Sequence, residues 1–268
     1  MVGEYMLEIN KIYNEDCLEG MKRIDDKSID MILCDLPYGT TACKWDTIIP
    51  FEPLWEQYKR IIKDKGAIVL CGSEPFSSYL RLNNIRWFRY DIIWEKERPT
   101  NIFFIKKQIG KVHEIISIFY KHQPTYNPCM ENRKSNTIAC FGKIKTSQTH
   151  KNQDYHYSKE YDKSKIYPRS VLKINRDTLK GSLHPTQKPV ALFEYLIKTY
   201  TNENELVLDN CMGSGTTAIA CINTKRNYIG FELDENYYNI ANERIEKRKE
   251  EMNNKFVNYK KEYEVNIK

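Results

Sequence analysis

Residues 205–223 read ELVLDNCMGSGTTAIACIN. The apolar triplet Leu206–Leu208 suits a buried strand, Gly213 and Gly215 suit a tight turn, and Thr217–Asn223 suits the start of a helix. Glycines at a strand-to-helix turn let the backbone approach a ligand closely, and the helix N-terminus offers unpaired N–H groups. No lysine follows the glycines, so the turn is not a phosphate loop. Asp209 closes the strand at the end where open α/β sheets bind ligands. Glu232 closes the next apolar run, YIGFE, at the spacing where an acidic side chain takes ribose hydroxyls. Together these features predict a nucleoside-cofactor site.

Ile29–Cys34, Ala67–Cys71, Tyr90–Trp94, Ile115–Tyr120 and Tyr228–Glu232 are short runs without polar alternation, as expected of parallel strands covered on both faces. Amphipathic helical patterns fall between them, at Phe51–Lys63, Val190–Tyr200 and Glu235–Lys249. The fold expected is therefore α/β, a doubly wound and mostly parallel sheet. Its organisation is expected as two halves, 1–122 and 183–268, separated by a small insert at 123–182. The charge-dense end, Asn242–Lys268, is expected to extend the last helix into solvent.

Composition supports a folded domain. Of 268 residues, 41% are hydrophobic and 29% charged, enough apolar surface for a sizeable core. No apolar run reaches membrane-spanning length and the N-terminus lacks a signal-peptide core, so a cytoplasmic protein is expected. The eight cysteines form no C-x-x-C pair, which argues for reduced core thiols and against structural zinc. Net charge is +6, and its location is uneven. Residues 121–180 hold 13 Lys/Arg against 5 Asp/Glu, leaving 29 against 31 elsewhere. That basic stretch is interleaved with tyrosines and histidines, which suits a polyanion with stackable bases as well as it suits a solvated lysine-rich face.

A second motif, Asp35-Leu36-Pro37-Tyr38-Gly39, again follows an apolar strand. An Asp-capped turn accounts for the proline and glycine. A carboxylate beside a rigid, aromatic-tipped turn also suits activation of an exocyclic nucleobase amine. Asp35 and the Leu36 carbonyl can accept the two amine hydrogens, and Tyr38 can stack on a base that gains positive charge. No H-x-E…C-x-x-C pattern is present, which excludes zinc-dependent deamination as the base chemistry.

In combination, Asp35–Tyr38 and Asp209–Thr217 resemble motifs IV and I of the S-adenosylmethionine-dependent DNA amino-methyltransferases, which make N6-methyladenine or N4-methylcytosine. The D-x-P-Y motif precedes the glycine turn with a polar segment between them, the order of the β class. His184-Pro-Thr-Gln-Lys188-Pro189 resembles motif X, Asn14-Glu-Asp16-Cys17 the segment that contacts the cofactor adenine, and Gly72–Pro75 a further recurring segment. The family's usual Asp-Pro-Pro-Tyr is here Asp-Leu-Pro-Tyr. Leu36 still offers the carbonyl and loses only backbone stiffness.

The resemblance implies a Rossmann-like methyltransferase sheet, with 123–182 as its target-recognition insert. It implies a catalytic set of Asp35, Leu36, Pro37 and Tyr38. S-adenosylmethionine is the implied cofactor, held by Asp16 and Cys17 at its adenine and by Asp35, His184 and Lys188 toward its methionine end. Asp209, Cys211, Gly213, Gly215, Thr216 and Glu232 complete that set. The implied partner is double-stranded DNA, with adenine N6 as the target because cytosine-N4 enzymes of this class more often carry Ser in place of Asp35. Cytosine-N4 methylation and a non-catalytic DNA-binding module are the alternatives. Homodimers are common in the class, and no feature of the sequence points to one.

Overall fold

The computed structural model describes residues 7–41, 43, 46–133, 164–177 and 187–265. They fall into two compact units, one of 1–127 with 170–268 and one of 128–169.

The larger unit is built on eight strands. In chain order its elements are β1 (Lys11–Tyr13), α1 (Cys17–Met21), β2 (Ile29–Cys34), α2 (Phe51–Ile61), β3 (Ile62–Gly72), α3 (Phe76–Asn83), β4 (Phe88–Glu95) and β5 (His113–Phe119). The smaller unit contributes β6 (Glu131–Asn132) and β7 (Lys165–Ile166), an antiparallel pair. The chain then returns with β8 (Val171–Lys173), α4 (Val190–Tyr200), β9 (Leu206–Asp209), α5 (Thr216–Thr224), β10 (Asn227–Phe231) and α6 (Glu235–Val265).

The sheet order is β1-β10-β9-β2-β3-β5-β4-β8. Strands β1, β10, β9, β2 and β3 run parallel to one another. The central strands lack alternation because both faces are covered. Met31 and Leu33 of β2, with Val69 and Cys71 of β3, pack into a core with α4, α5 and α6. Ile32 and Cys34, with Ile68 and Leu70, face the opposite core with α1, α2 and α3. Each helical layer thus meets every second residue of the same strands.

The order reverses between β9 and β2. From β9 the chain proceeds outward through β10, and from β2 it proceeds the other way through β3. A crevice opens outside the carboxyl ends of strands at such a reversal. Asp35 and the glycine turn of 209–215 follow the two strands that border it.

Two expectations meet a different arrangement. The run Ile115–Tyr120 is a strand, but β5 is antiparallel to both β3 and β4. The segment 96–112 holds a single 3-10 turn and no crossover helix, so β4 and β5 pair as a long hairpin, and a strand buried on both faces reads alike in either direction. Val171–Lys173 falls within the expected insert, yet it pairs in parallel with β4 at the edge of the main sheet. At the other boundary Asn127 is tied to the end of α4, its N–H donating to the Thr199 carbonyl at 2.8 Å and its amide to the Thr201 carbonyl at 3.0 Å. The second unit is accordingly narrower than 123–182. The short elements β1, α1 and α3 carry too little periodicity to be read from sequence. Among the described residues no helix is long and apolar enough to cross a membrane.

Candidate functional site

Asp35 is the first residue beyond β2. Its Oδ2 accepts from the Lys188 ammonium at 2.5 Å, and its Oδ1 accepts from the Tyr38 hydroxyl at 2.5 Å. Lys188 precedes α4 and is only 6% exposed. Its ammonium also lies 3.1 Å from Glu114 Oε2 on β5 and 5.6 Å from the centre of the Tyr38 ring. The other Glu114 oxygen pairs with Lys96, just past β4. Two lysines and two carboxylates thus alternate along one edge of the sheet. Burial opposes charge on Lys188, but Asp35 and Glu114 more than reverse it and hold the ammonium well above the ordinary lysine range. Burial likewise pushes Glu114 up, and Lys188 and Lys96 outweigh it, leaving this carboxyl below its ordinary range. Burial brings Lys96 down, against the pull of Glu114.

The turn after Asp35 is held by a residue that no sequence motif singles out. Asp46 Oδ1 accepts from the N–H groups of Tyr38 at 2.8 Å and Gly39 at 2.9 Å, and Oδ2 from those of Thr40 at 2.8 Å and Thr41 at 2.6 Å. One buried carboxylate therefore satisfies four consecutive backbone donors. Burial raises its pKa and these donors outweigh that, so it stays below the ordinary carboxylate range. Gly39 sits at φ +68°, a conformation that suits glycine. Leu36 is buried in the core beside α2. That burial anchors the turn where the common proline would stiffen it. Pro37 is half-buried, and the Tyr38 ring packs 5.1 Å from that of Phe76.

The glycine turn forms a second cluster. The buried Asp209 accepts from the Thr217 hydroxyl and, at 3.0 Å, from the Cys211 N–H. Burial raises its pKa to about 6 despite these donors. Glu232, directly after β10, accepts from the N–H of Gly213 at 2.7 Å and of Asp234 at 2.9 Å. It thereby ties the turn to the end of the neighbouring strand. Gly213 has φ +54°, and a Cβ built there would meet no protein atom within 4 Å. Gly215 caps α5 at φ +85°, where a Cβ would lie 3.1 Å from Ala241.

Other contacts join these parts. The Thr216 hydroxyl lies 3.5 Å from the Lys188 carbonyl, and Ser214 donates to Gln187 at 3.2 Å. Gln187 and Lys188 are thus fastened to the glycine turn. Asp16 caps α1, accepting from Leu18 N–H at 2.8 Å and Glu19 N–H at 3.2 Å. Asn14 donates to the Glu232 carbonyl at 2.8 Å, and Asn210 donates to Cys17 Sγ at 3.5 Å. The Asn14–Cys17 segment therefore adjoins both the end of β10 and the glycine turn. His184 lies outside the described residues. Lys188, grouped with the cofactor residues on the sequence, contacts Asp35 through its side chain.

A family model described as DNA methylase, of the N6/N4 methyltransferase kind, matches residues 29–243. The chain belongs to this DNA methylase family. The type II methyltransferase M1.MboII of Moraxella bovis is 28% identical, over 88% of this chain and 96% of its own. The DNA adenine methyltransferase YhdJ of Escherichia coli K12 is 27% identical, over 89% of this chain and 83% of its own. The crystal structure of the M1.HpyAVI–SAM complex is 26% identical with a TM-score of 0.57, covering 87% of this chain and 98% of that one.

Glu114 and Asp46 are not legible as site residues in the sequence, and Lys96 reads there only as a possible substrate contact at a strand's end, with the Arg98–Asn101 loop that follows it. Glu114 and Lys96 are ordinary charged residues at strand ends until β4 and β5 pair, and Asp46 lies in a polar loop. In this DNA methylase Asp46→Asn replaces one acceptor oxygen by an amide that faces two N–H donors. We expect unfolding free energy to fall by about 1.5–3 kcal/mol, measured by chemical denaturation, together with slower methyl transfer. Wild-type values for both would show that the turn is held by other contacts.

Proposed function

We propose that this chain methylates adenine at N6 in double-stranded DNA, with Asp35 and the Leu36 carbonyl as acceptors for the reacting amine. The carrying observation is Asp35 itself, fixed between Lys188 and Tyr38 beside the β9–β2 reversal and next to the glycine turn. S-adenosylmethionine supplies an electrophilic methyl group when bound. The fit rests on Gly213, whose positive φ and open Cβ direction leave room for a ligand against the backbone. Asp209 and Glu232 order that turn, and Asp16 and Cys17 lie beside it.

An aromatic amine is a poor nucleophile because its lone pair is delocalised. Two acceptors on its hydrogens favour a tetrahedral nitrogen. As the nitrogen attacks, the base gains positive charge, so a fixed carboxylate stabilises the transition state more than the ground state. Each Asp35 oxygen already has one donor and keeps a second acceptor position. Asp35 can therefore take an amine hydrogen while Lys188 still holds its orientation. Asp35 is partly buried and its partner Lys188 nearly fully so. A base within a duplex cannot reach such a group, so the target must be extruded. An aspartate at the head of the motif, and a relative that is an adenine methyltransferase, support adenine over cytosine. The basic surplus of 121–180 supports the insert, narrowed to about 128–169, as the region that grips phosphates and reads sequence.

Asp35→Ala should abolish methyl transfer and leave calorimetric S-adenosylmethionine affinity largely intact, since Glu232 orders the glycine turn without Asp35. Turnover near wild type would remove Asp35 from the chemistry. Modified-base sequencing of DNA from expressing cells should report N6-methyladenine in one sequence context. N4-methylcytosine there would replace the adenine assignment. Lys143→Ala with Lys145→Ala should shallow the salt dependence of DNA binding, by about 0.9 in log–log slope for each phosphate no longer neutralised. An unchanged slope in anisotropy titrations would leave the insert a solvated excursion.

A further inference from the structure

We infer that the loop from Glu97 to Gly110 is a wedge that enters the base stack of the bound duplex beside the extruded target. The inference rests on the function proposed above.

The loop begins where β4 ends and returns at the start of β5. Strand β4 runs parallel to β2, because β5 is antiparallel to both β4 and β3, and β3 is parallel to β2. The loop therefore projects from the edge of the sheet that carries Asp35. A chain of side-chain contacts joins them, from Lys96 at the root of the loop to Glu114, then Lys188, then Asp35.

The loop is ordered by its own hydrogen bonds. Lys96 N–H donates to the Val112 carbonyl at 2.7 Å, and Thr100 N–H to the Lys111 carbonyl at 2.9 Å. Asn101 accepts from the Lys111 N–H at 2.7 Å and donates to the Ile109 carbonyl at 3.0 Å. A 3-10 turn at Ile102–Phe104 forms the tip, extended by Lys107 N–H and Gln108 N–H on the Phe104 carbonyl.

What this loop holds in water is unusual for a connector. Phe103 is 98% exposed and Ile109 94%, and Ile102, Phe104 and Ile105 are also exposed. Free energy favours removing such side chains from water, and a patch of this kind on an ordered segment marks an interaction surface. The charges around it select the partner. Between 97 and 111 stand Arg98, Lys106, Lys107 and Lys111 against Glu97 alone, with Lys111 donating to the Ser73 hydroxyl at the root of the loop. Glu97 is paired with Arg176 at 2.9 Å. An apolar tip ringed by cations matches a polymer with anionic strands outside and apolar stacked bases within. Phe and Ile inserted between base steps are a known means of deforming a duplex, and insertion next to a flipped base offsets lost stacking.

The test uses the full chain and two duplexes carrying the methylated context. One is fully paired. In the other the target faces an abasic position and is already unpaired. Phe103→Ala with Phe104→Ala alters exposed side chains and should leave folding and S-adenosylmethionine affinity unchanged. We expect kcat/KM on the paired duplex to fall at least tenfold, and on the abasic-opposed duplex by no more than threefold. An equal loss on both duplexes, or no loss on either, overturns the wedge while methylation by the wild type stands. A wild-type dimer in sedimentation velocity that the double variant dissolves, with its paired-duplex rate intact, assigns the tip to a second copy of the chain and overturns the wedge. A wild type that methylates no DNA overturns the proposed function, and this inference with it.

Discussion

A lysine ammonium buried between two carboxylates sets the geometry of this site. Lys188 comes from the half of the chain that carries the glycine turn, and its partners Asp35 and Glu114 come from the other half. Removing one member of such a buried set leaves an uncompensated charge, a loss on the order of 3–5 kcal/mol. The pairing therefore does more than close the sheet. It fixes the carboxylate at the end of β2 relative to the backbone that precedes α4, and that backbone is fastened in turn to the glycine turn through Thr216 and Gln187.

The sheet topology explains why these groups meet. Strands β9 and β2 are neighbours in the middle of the order, although most of the chain lies between Asp35 and the start of β9 at Leu206. The reversal of connectivity between them leaves a crevice outside their carboxyl ends. The Asp46 carboxylate holds the turn after Asp35 on one side of it, and Glu232 holds the glycine turn on the other. Both use an anion to gather backbone N–H groups, which is a way to order a turn without regular structure. The rest of the larger unit keeps two helical layers on the sheet so that these turns stand at fixed positions.

Much of this frame is legible in the sequence. The runs 29–34 and 206–208 are short, apolar and bounded by turn residues, so their strands and the motifs after them can be placed from residue order alone. The direction of β5 is not legible, because a doubly covered strand carries no mark of polarity. Nor is the charge network. Lys188 stands just before a helix, where a lysine is ordinarily exposed, and only the pairing of β4 with β5 brings Glu114 and Lys96 to it. The Tyr38 ring reads as a stacking platform, but the bond from its hydroxyl to Asp35 depends on the turn that Asp46 imposes. The resemblance in motif order points to the DNA methylase family, and the family match over 29–243 establishes it.

Strands β2 and β9 already pair, and the coupling between Lys188 and Asp35 is what holds the carboxylate in register with the glycine-turn side of the site. A double-mutant cycle with Lys188→Met and Asp35→Asn, read as unfolding free energy by chemical denaturation, measures it directly. The expected interaction energy is about 1–3 kcal/mol, as for other directly contacting buried groups. Additivity to within about 0.5 kcal/mol would contradict it, and would mean that the carboxylate is held in register by something else.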